Sequence, residues 1–313
     1  MTFTSLADLA SETTADVFAE FLNIQVSENS RRAYAKSTKD FFESLGKEVT
    51  TTTIKEFLQL TQPQAIALVL QYRSNLLAAN LSPNTINLRI AALKSLVRYA
   101  RKVGQTTVIL DDIKNLRAEV YRDTTGIGAE DYRLIVNQID RQKFGGKRDY
   151  AIMRLLWDNA IRCGELVATN VQDFDAVNGQ LWIVSKGRTQ KQSIDLSPAT
   201  VAAVAHWVAA RGEVAGDDPL FVGVGNRSWG QRLSGGAVAR LVNELSQQAQ
   251  IPKRMSPNRV RHSSITAYLD ASGGNVRAAQ GLSRHTNLNT LSRYDDNRQR
   301  YQAQASDILA DLI

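Results

Sequence analysis

Residues 171–196 read VQDFDAVNGQLWIVSKGRTQKQSIDL, and their pattern is β in a chain that otherwise has the period of helices. Apolar, β-favouring segments are separated by Val177-Asn178-Gly179 and by Lys186-Gly187-Arg188, residue types that close tight turns. The stretch predicts a small three-stranded antiparallel sheet. Helices are expected on both sides of it. Upstream, AEDYRLIVNQIDRQ (129–142) is one, and Arg148 to Asn159 is another, with Ile152, Leu155 and Leu156 on one face. Downstream come segments 197–211, 235–250, 261–272, 275–283 and 288–296. This half of the chain therefore reads as a mostly helical domain holding one small sheet, and the whole as mainly α (α+β).

The first hundred residues read as helices alone, over 14–24, 27–45, 53–60, 63–79 and 81–104. Ser82-Pro83 is a start signal and Gly104 a stop. Ile86, Ile90, Leu93, Val97 and Ala100 recur at three- and four-residue steps and predict one buried stripe. Lys94, Arg98, Arg101 and Lys102 fall together on a neighbouring sector, a cationic face suited to phosphates or simply to water. Residues 104–126 turn polar and mixed and read as a connection. The division expected is 1–110 for a helical domain, 111–126 for a linker and 127–313 for a second domain.

Composition bounds the function. At 313 residues two domains are the natural prior, and 43% hydrophobic with 22% charged residues is a globular balance. One cysteine, Cys163, cannot build a disulfide framework within the chain. The N-terminus lacks the pattern of a secretory signal, and no apolar run reaches the ~18 residues of a membrane span, so a cytoplasmic location and no membrane partner are expected. Formal net charge is +7. Between Lys253 and Arg300 nine Lys and Arg stand against three acids, so this short stretch holds most of the excess. It is either a solvated basic face or a surface for a polyanion.

Phosphate-loop and dinucleotide fingerprints are absent, and His206, His262 and His285 do not sit at metal-ligand spacing; no metal is expected. What remains is an ordered set of cations and one tyrosine. Arg162 lies in AIRCGEL, Lys186 in SKGRTQK, Arg261 in NRVRH, and His285 and Tyr294 in LSRHTNLNTLSRY. These segments resemble, in order and interval, the four motifs of the tyrosine recombinase (phage integrase) family. Each is weak alone; four in register are specific. The resemblance covers the second domain throughout, and SENSRRAYAKSTKDFFESL with LSPNTINLRIAALKSLVRYA resembles the family's helical, SAM-like core-binding domain. Two positions depart from the pattern: Asn258 stands where a His is usual, and Ser283-Arg284 where Leu-Gly is usual, adding a cation and altering a turn.

The resemblance implies a site-specific recombinase that cleaves and rejoins DNA through a 3′-phosphotyrosine. Tyr294 would be the nucleophile. Arg162 and Arg261 would neutralise the non-bridging oxygens as planar forks. Lys186 would protonate the departing 5′ oxygen, with Lys191 as the alternative. His285 would donate to a non-bridging oxygen, and Asn258 can donate but cannot shuttle a proton near neutral pH. The covalent link conserves the phosphodiester energy, so no cofactor is implied. DNA contacts are expected from Arg31, Arg32, Lys36, Asn84, Lys94, Arg98, Arg101 and Arg259. The implied partner is duplex DNA with a specific target site, clamped by a homotetramer that is monomeric or weakly associated off DNA; the tail YQAQASDILADLI would dock on a neighbouring protomer. Nucleoid association follows. Glu165 is expected to orient an arginine, His262 to buttress the domain, His206 to pack a helix and Cys163 to be buried. A DNA-binding regulator of recombinase descent, and a nicking-closing activity without synapsis, are the competing readings.

Overall fold

A computed structural model describes residues 16–25, 27–117, 126–185, 190–284, 306 and 309–311. The chain divides into two compact units, residues 1–120 and 121–313.

The first unit is all helix: α1 (Val17–Asn23), α2 (Glu28–Ser44), α3 (Thr51–Leu58), α4 (Gln62–Ala78) and α5 (Pro83–Lys102). Each starts where its sequence supplies a cap. Ser82 Oγ accepts the backbone N–H of Thr85, and Pro83 fills the first helical position, where its missing N–H is harmless. Thr50 and Thr53 form a reciprocal capping box at α3. The stripe on α5 is buried as its period predicts: Ile86, Ile90, Leu93, Val97 and Ala100 all face the core. Phe41 anchors that core, with edge-on contacts to Phe42, Phe57 and Tyr72 at 5.2 Å between ring centres.

The connection is less free than its polarity suggests. As far as Arg117 it lies on the first unit, with Val108, Leu110 and Ile113 buried in that core. Polar side chains of the helices satisfy its backbone. Gln62 exchanges two hydrogen bonds with Ile109, Asn87 exchanges two with Leu116, and Lys94 donates to the carbonyl of Ile113. Backbone left without a sheet partner needs such donors and acceptors to be buried.

The second unit runs α6 (Ala129–Asn137), α7 (Phe144–Asp158), α8 (Cys163–Ala168), β1 (Phe174–Asp175), β2 (Gln180–Val184), β3 (Lys191–Asp195), α9 (Pro198–Arg211), α10 (Gly235–Gln248), α11 (Pro257–Ala271) and α12 (Val276–Ser283). The sheet is antiparallel in the order β1-β2-β3, with Leu181 opposite Ile194 and Val184 opposite Lys191. Leu181 and Ile183 point into the core while Trp182 between them is 42% exposed, the alternation of a one-sided sheet. Trp207 is buried at the centre of the unit, and its indole N–H donates to Leu220 O at 2.8 Å. Gly126 is needed at the entry to this unit: a Cβ there would stand 2.4 Å from Ser263 Oγ. That close approach lets the next N–H, of Ile127, donate to the same hydroxyl.

Candidate active site

The site grows around the turn 159–161 that joins α7 to α8. Ala160 takes φ +43°, a left-handed conformation unusual for a residue with a Cβ, and is fully buried. Asn159 fixes the turn from one side, its Nδ2 donating to Asp195 O at 2.8 Å and so tying it to the end of β3. Beyond the turn Arg162 opens α8. Its backbone N–H donates to Glu165 Oε2 at 3.0 Å and its Nη1 to Oε1 at 2.8 Å. Glu165 is 2% exposed while the Arg162 side chain keeps 27%. The carboxylate thus holds the guanidinium from below and leaves part of it open.

Two further arginines reach this turn from the far end of the chain. Arg261, on α11, is buried and donates through Nη1 to Ala160 O and through Nη2 to Ser283 O. Arg284, the residue closing α12, donates from Nη1 to Asn159 O at 3.1 Å. From Nη2 it donates to Ala160 O at 3.3 Å and Glu165 Oε2 at 3.0 Å. Partners 101 and 119 residues apart in sequence therefore share one turn. Burial tends to raise the Glu165 carboxyl, but the Arg162 N–H and the charges of Arg284 and Arg162 outweigh it and hold it below the usual carboxylate range. Burial lowers Arg284 against the opposing pull of Glu165.

Of the residues named from sequence, Arg162 and Arg261 are brought together here. Asn258 lies exposed in the first turn of α11. Lys186, His285 and Tyr294 lie outside the described residues, as do the helix expected over 288–296 and most of the C-terminal tail. Lys191, the alternative to Lys186, forms an ion pair with Asp173, whose side chain is 5% exposed. It is therefore engaged in holding the sheet to the turn before it. Cys163 is half-buried, its thiol raised by burial, with Gly235 O as acceptor at 3.7 Å. His206 corrects its expectation. It is exposed, and with Arg141, Lys147 and Tyr150 it lines a surface cavity of about 470 Å³. Its helix, α9, packs instead through Ala203, Val204 and Trp207.

The DNA-contact candidates differ in what they already hold. Arg31 donates to the carbonyls of Leu22 and Asn23, closing the C-terminus of α1. Arg32 pairs with Glu28, Arg98 with Asp111 at 2.7 Å, and Arg259 donates to Arg254 O at 2.7 Å. Lys36, Asn84 and Arg101 are exposed. Sequence reading missed the role of Lys94 as a clasp on residue 113 and the carbonyls of Asn159 and Ala160 as acceptors. Backbone acceptors leave no residue-type signal. No group of metal-binding side chains occurs among the described residues, and no described helix is long and apolar enough to cross a membrane.

Comparison with known proteins agrees with this arrangement. Residues 127–300 match the model of the phage integrase family, and residues 16–104 that of the phage integrase N-terminal SAM-like domain. Tyrosine recombinase slr0733 of Synechocystis sp. is 49% identical across 95% of this chain and 96% of its own length. Tyrosine recombinase Synpcc7942_B2651 of Synechococcus elongatus is 43% identical across 95% and 94%. A lambda integrase (75-356) dimer bound to a COC′ core site has the same fold, with a TM-score of 0.64 at 16% identity, covering 96% of this chain and 97% of that one. The chain belongs to the phage integrase family and is a DNA strand transferase of the tyrosine recombinase class.

Proposed function

We propose that the chain breaks and rejoins duplex DNA at a specific site, with Tyr294 attacking the scissile phosphate. The observation that carries this reading is the convergence of Arg162 and Arg261 on one turn, to which the side chain of Arg284, the residue before His285 in sequence, also bonds. In-line displacement at phosphorus needs charge neutralisation and positioning more than bond-making by the protein. Arg162, held by Glu165 with its outer edge open, offers a fork to a non-bridging oxygen. Arg261 braces the same turn from α11, and Asn258, three residues earlier on that helix and exposed, is an amide donor available as a further contact. His285 donates to the phosphate. Lys186 supplies the proton to the leaving 5′ oxygen, a role strengthened by the engagement of Lys191 with Asp173.

The phenol of a free tyrosine titrates near 10. Cations around the phosphate favour its ionised form, so no metal is needed to raise its nucleophilicity. Exchange between two sites requires a synaptic tetramer, and the protein acts in the cytoplasm on nucleoid DNA. The lambda integrase of like fold is a dimer bound to a core site, which supports a DNA-bound oligomer.

The test is a nicked duplex carrying the site occupied in cells, found by mapping bound DNA. Wild type should form a covalent protein–DNA adduct, and Tyr294→Phe should bind the duplex equally well and form none. Binding without an adduct by the wild-type protein would replace this reading with that of a DNA-binding regulator.

A further inference from the structure

Arg284 is held in a way that a surface arginine is not. Its φ is +55°, the left-handed region in which a glycine would be at ease and a side chain is strained. Its side chain is only 11% exposed, so a charged guanidinium has been taken out of water. Both are costs; one contact, from Nη1 to Leu282 O at 3.0 Å, is local to its own helix end, and the rest come from residues 159–165. The guanidinium bonds the carbonyls of Asn159 and Ala160 and shares Glu165 with Arg162, one guanidinium on each carboxylate oxygen. A turn closer would need none of this, since the backbone N–H of residue 284 to Gln280 O already caps α12.

We propose that Arg284 is a positioning residue: it locks the point where the chain enters His285 onto the carboxylate that aims Arg162. The proposal rests on the reading of this site as the strand-transfer centre. The two arms of the carboxylate make the placement mutual. Arg162 cannot swing away without releasing Oε1, and the end of α12 cannot move without releasing Oε2. Arg261 reinforces the joint from α11, bonding Ala160 O on one side of it and Ser283 O on the other. The three elements that carry the candidate phosphate-binding groups are thereby fixed to one carboxylate and one turn before DNA arrives. Positioning of this kind acts on the chemical step rather than on duplex affinity.

The experiment uses Arg284→Gly, Arg284→Lys and Glu165→Gln in the full chain, each measured for duplex affinity, thermal midpoint and single-turnover adduct formation on the nicked duplex. Glycine suits the left-handed turn and offsets part of the lost ion pair, so Arg284→Gly should still fold, with a midpoint below that of the wild type, and its rate is read well below that midpoint. Its adduct-formation rate should fall on the order of 10²-fold with duplex affinity unchanged. Lysine keeps the charge but loses the fork, and should restore part of that rate. Arg284→Gly combined with Glu165→Gln should be no slower than the slower single variant, because both break one joint. Wild-type rate in Arg284→Gly would overturn the proposal while leaving the strand-transfer reading intact. A wild-type protein that binds its site and forms no adduct would overturn both.

Discussion

With 2% of its side chain exposed and a guanidinium on each oxygen, Glu165 stays ionised inside the protein. Removing it strands two cations. Glu165→Ala should therefore lower unfolding free energy by about 3–5 kcal/mol, the range for breaking a buried pair, measurable by urea denaturation. Its pH dependence has a definite sign. Because the folded carboxyl titrates below the unfolded value of about 4.3, its contribution is complete above that pH and is lost as pH falls through the folded value. Wild type should lose stability more steeply than Glu165→Gln on that acid limb; parallel limbs would show that the carboxylate is not held ionised. Asn258 makes a contrasting case. It is exposed in the first turn of α11, so an imidazole fits without displacing anything. Asn258→His should change stability by less than about 0.5 kcal/mol and keep or raise the adduct rate. A large loss of rate would give the amide a role of its own.

At the scale of elements, one of the two candidate lysines is already engaged. The hairpin between β2 and β3 carries both Lys186 and Lys191, and residue type cannot choose between them. Pairing favours Lys186 as the proposed donor: Lys191 stands opposite Val184 and reaches Asp173, a carboxylate with 5% exposure that also accepts the N–H of Asn170. Lys191→Ala should then cost roughly 1–3 kcal/mol of stability, and Lys186→Ala should slow adduct formation with the unfolding midpoint unchanged. The reverse pattern would exchange their roles. In the first unit α5 behaves as its period predicts, and Leu93→Ala, which empties a fully buried position, should cost about 2–5 kcal/mol. Its cationic side was read less well. Lys94 and Arg98 bind residues 113 and 111 of the following segment. A helical wheel shows that two residues share a sector, but not what the next stretch of chain lays over it.

For the molecule as a whole, charge governs affinity. A chain of net charge +7 that neutralises phosphates releases counterions, so the logarithm of its binding constant should fall linearly with the logarithm of salt concentration. Lys36→Ala and Arg101→Ala should each reduce that slope by about one without changing the preferred site; an affinity indifferent to salt would rule out a phosphate-tracking interface. The sequence by itself determined most of the described elements and the family. Hydrophobic period, turn residues and caps act over a few positions, so five helices, a small sheet among helices and the order Arg162, Lys186, Arg261, His285, Tyr294 could be read along the chain. Tertiary structure decided how arginines share their partners. Arg261 and Arg284 lie about a hundred residues from the turn they grip, and their acceptors there include backbone carbonyls, which every residue possesses. Only folding brings those carbonyls and the carboxylate of Glu165 to one point, because a buried guanidinium must find acceptors wherever the packing places them.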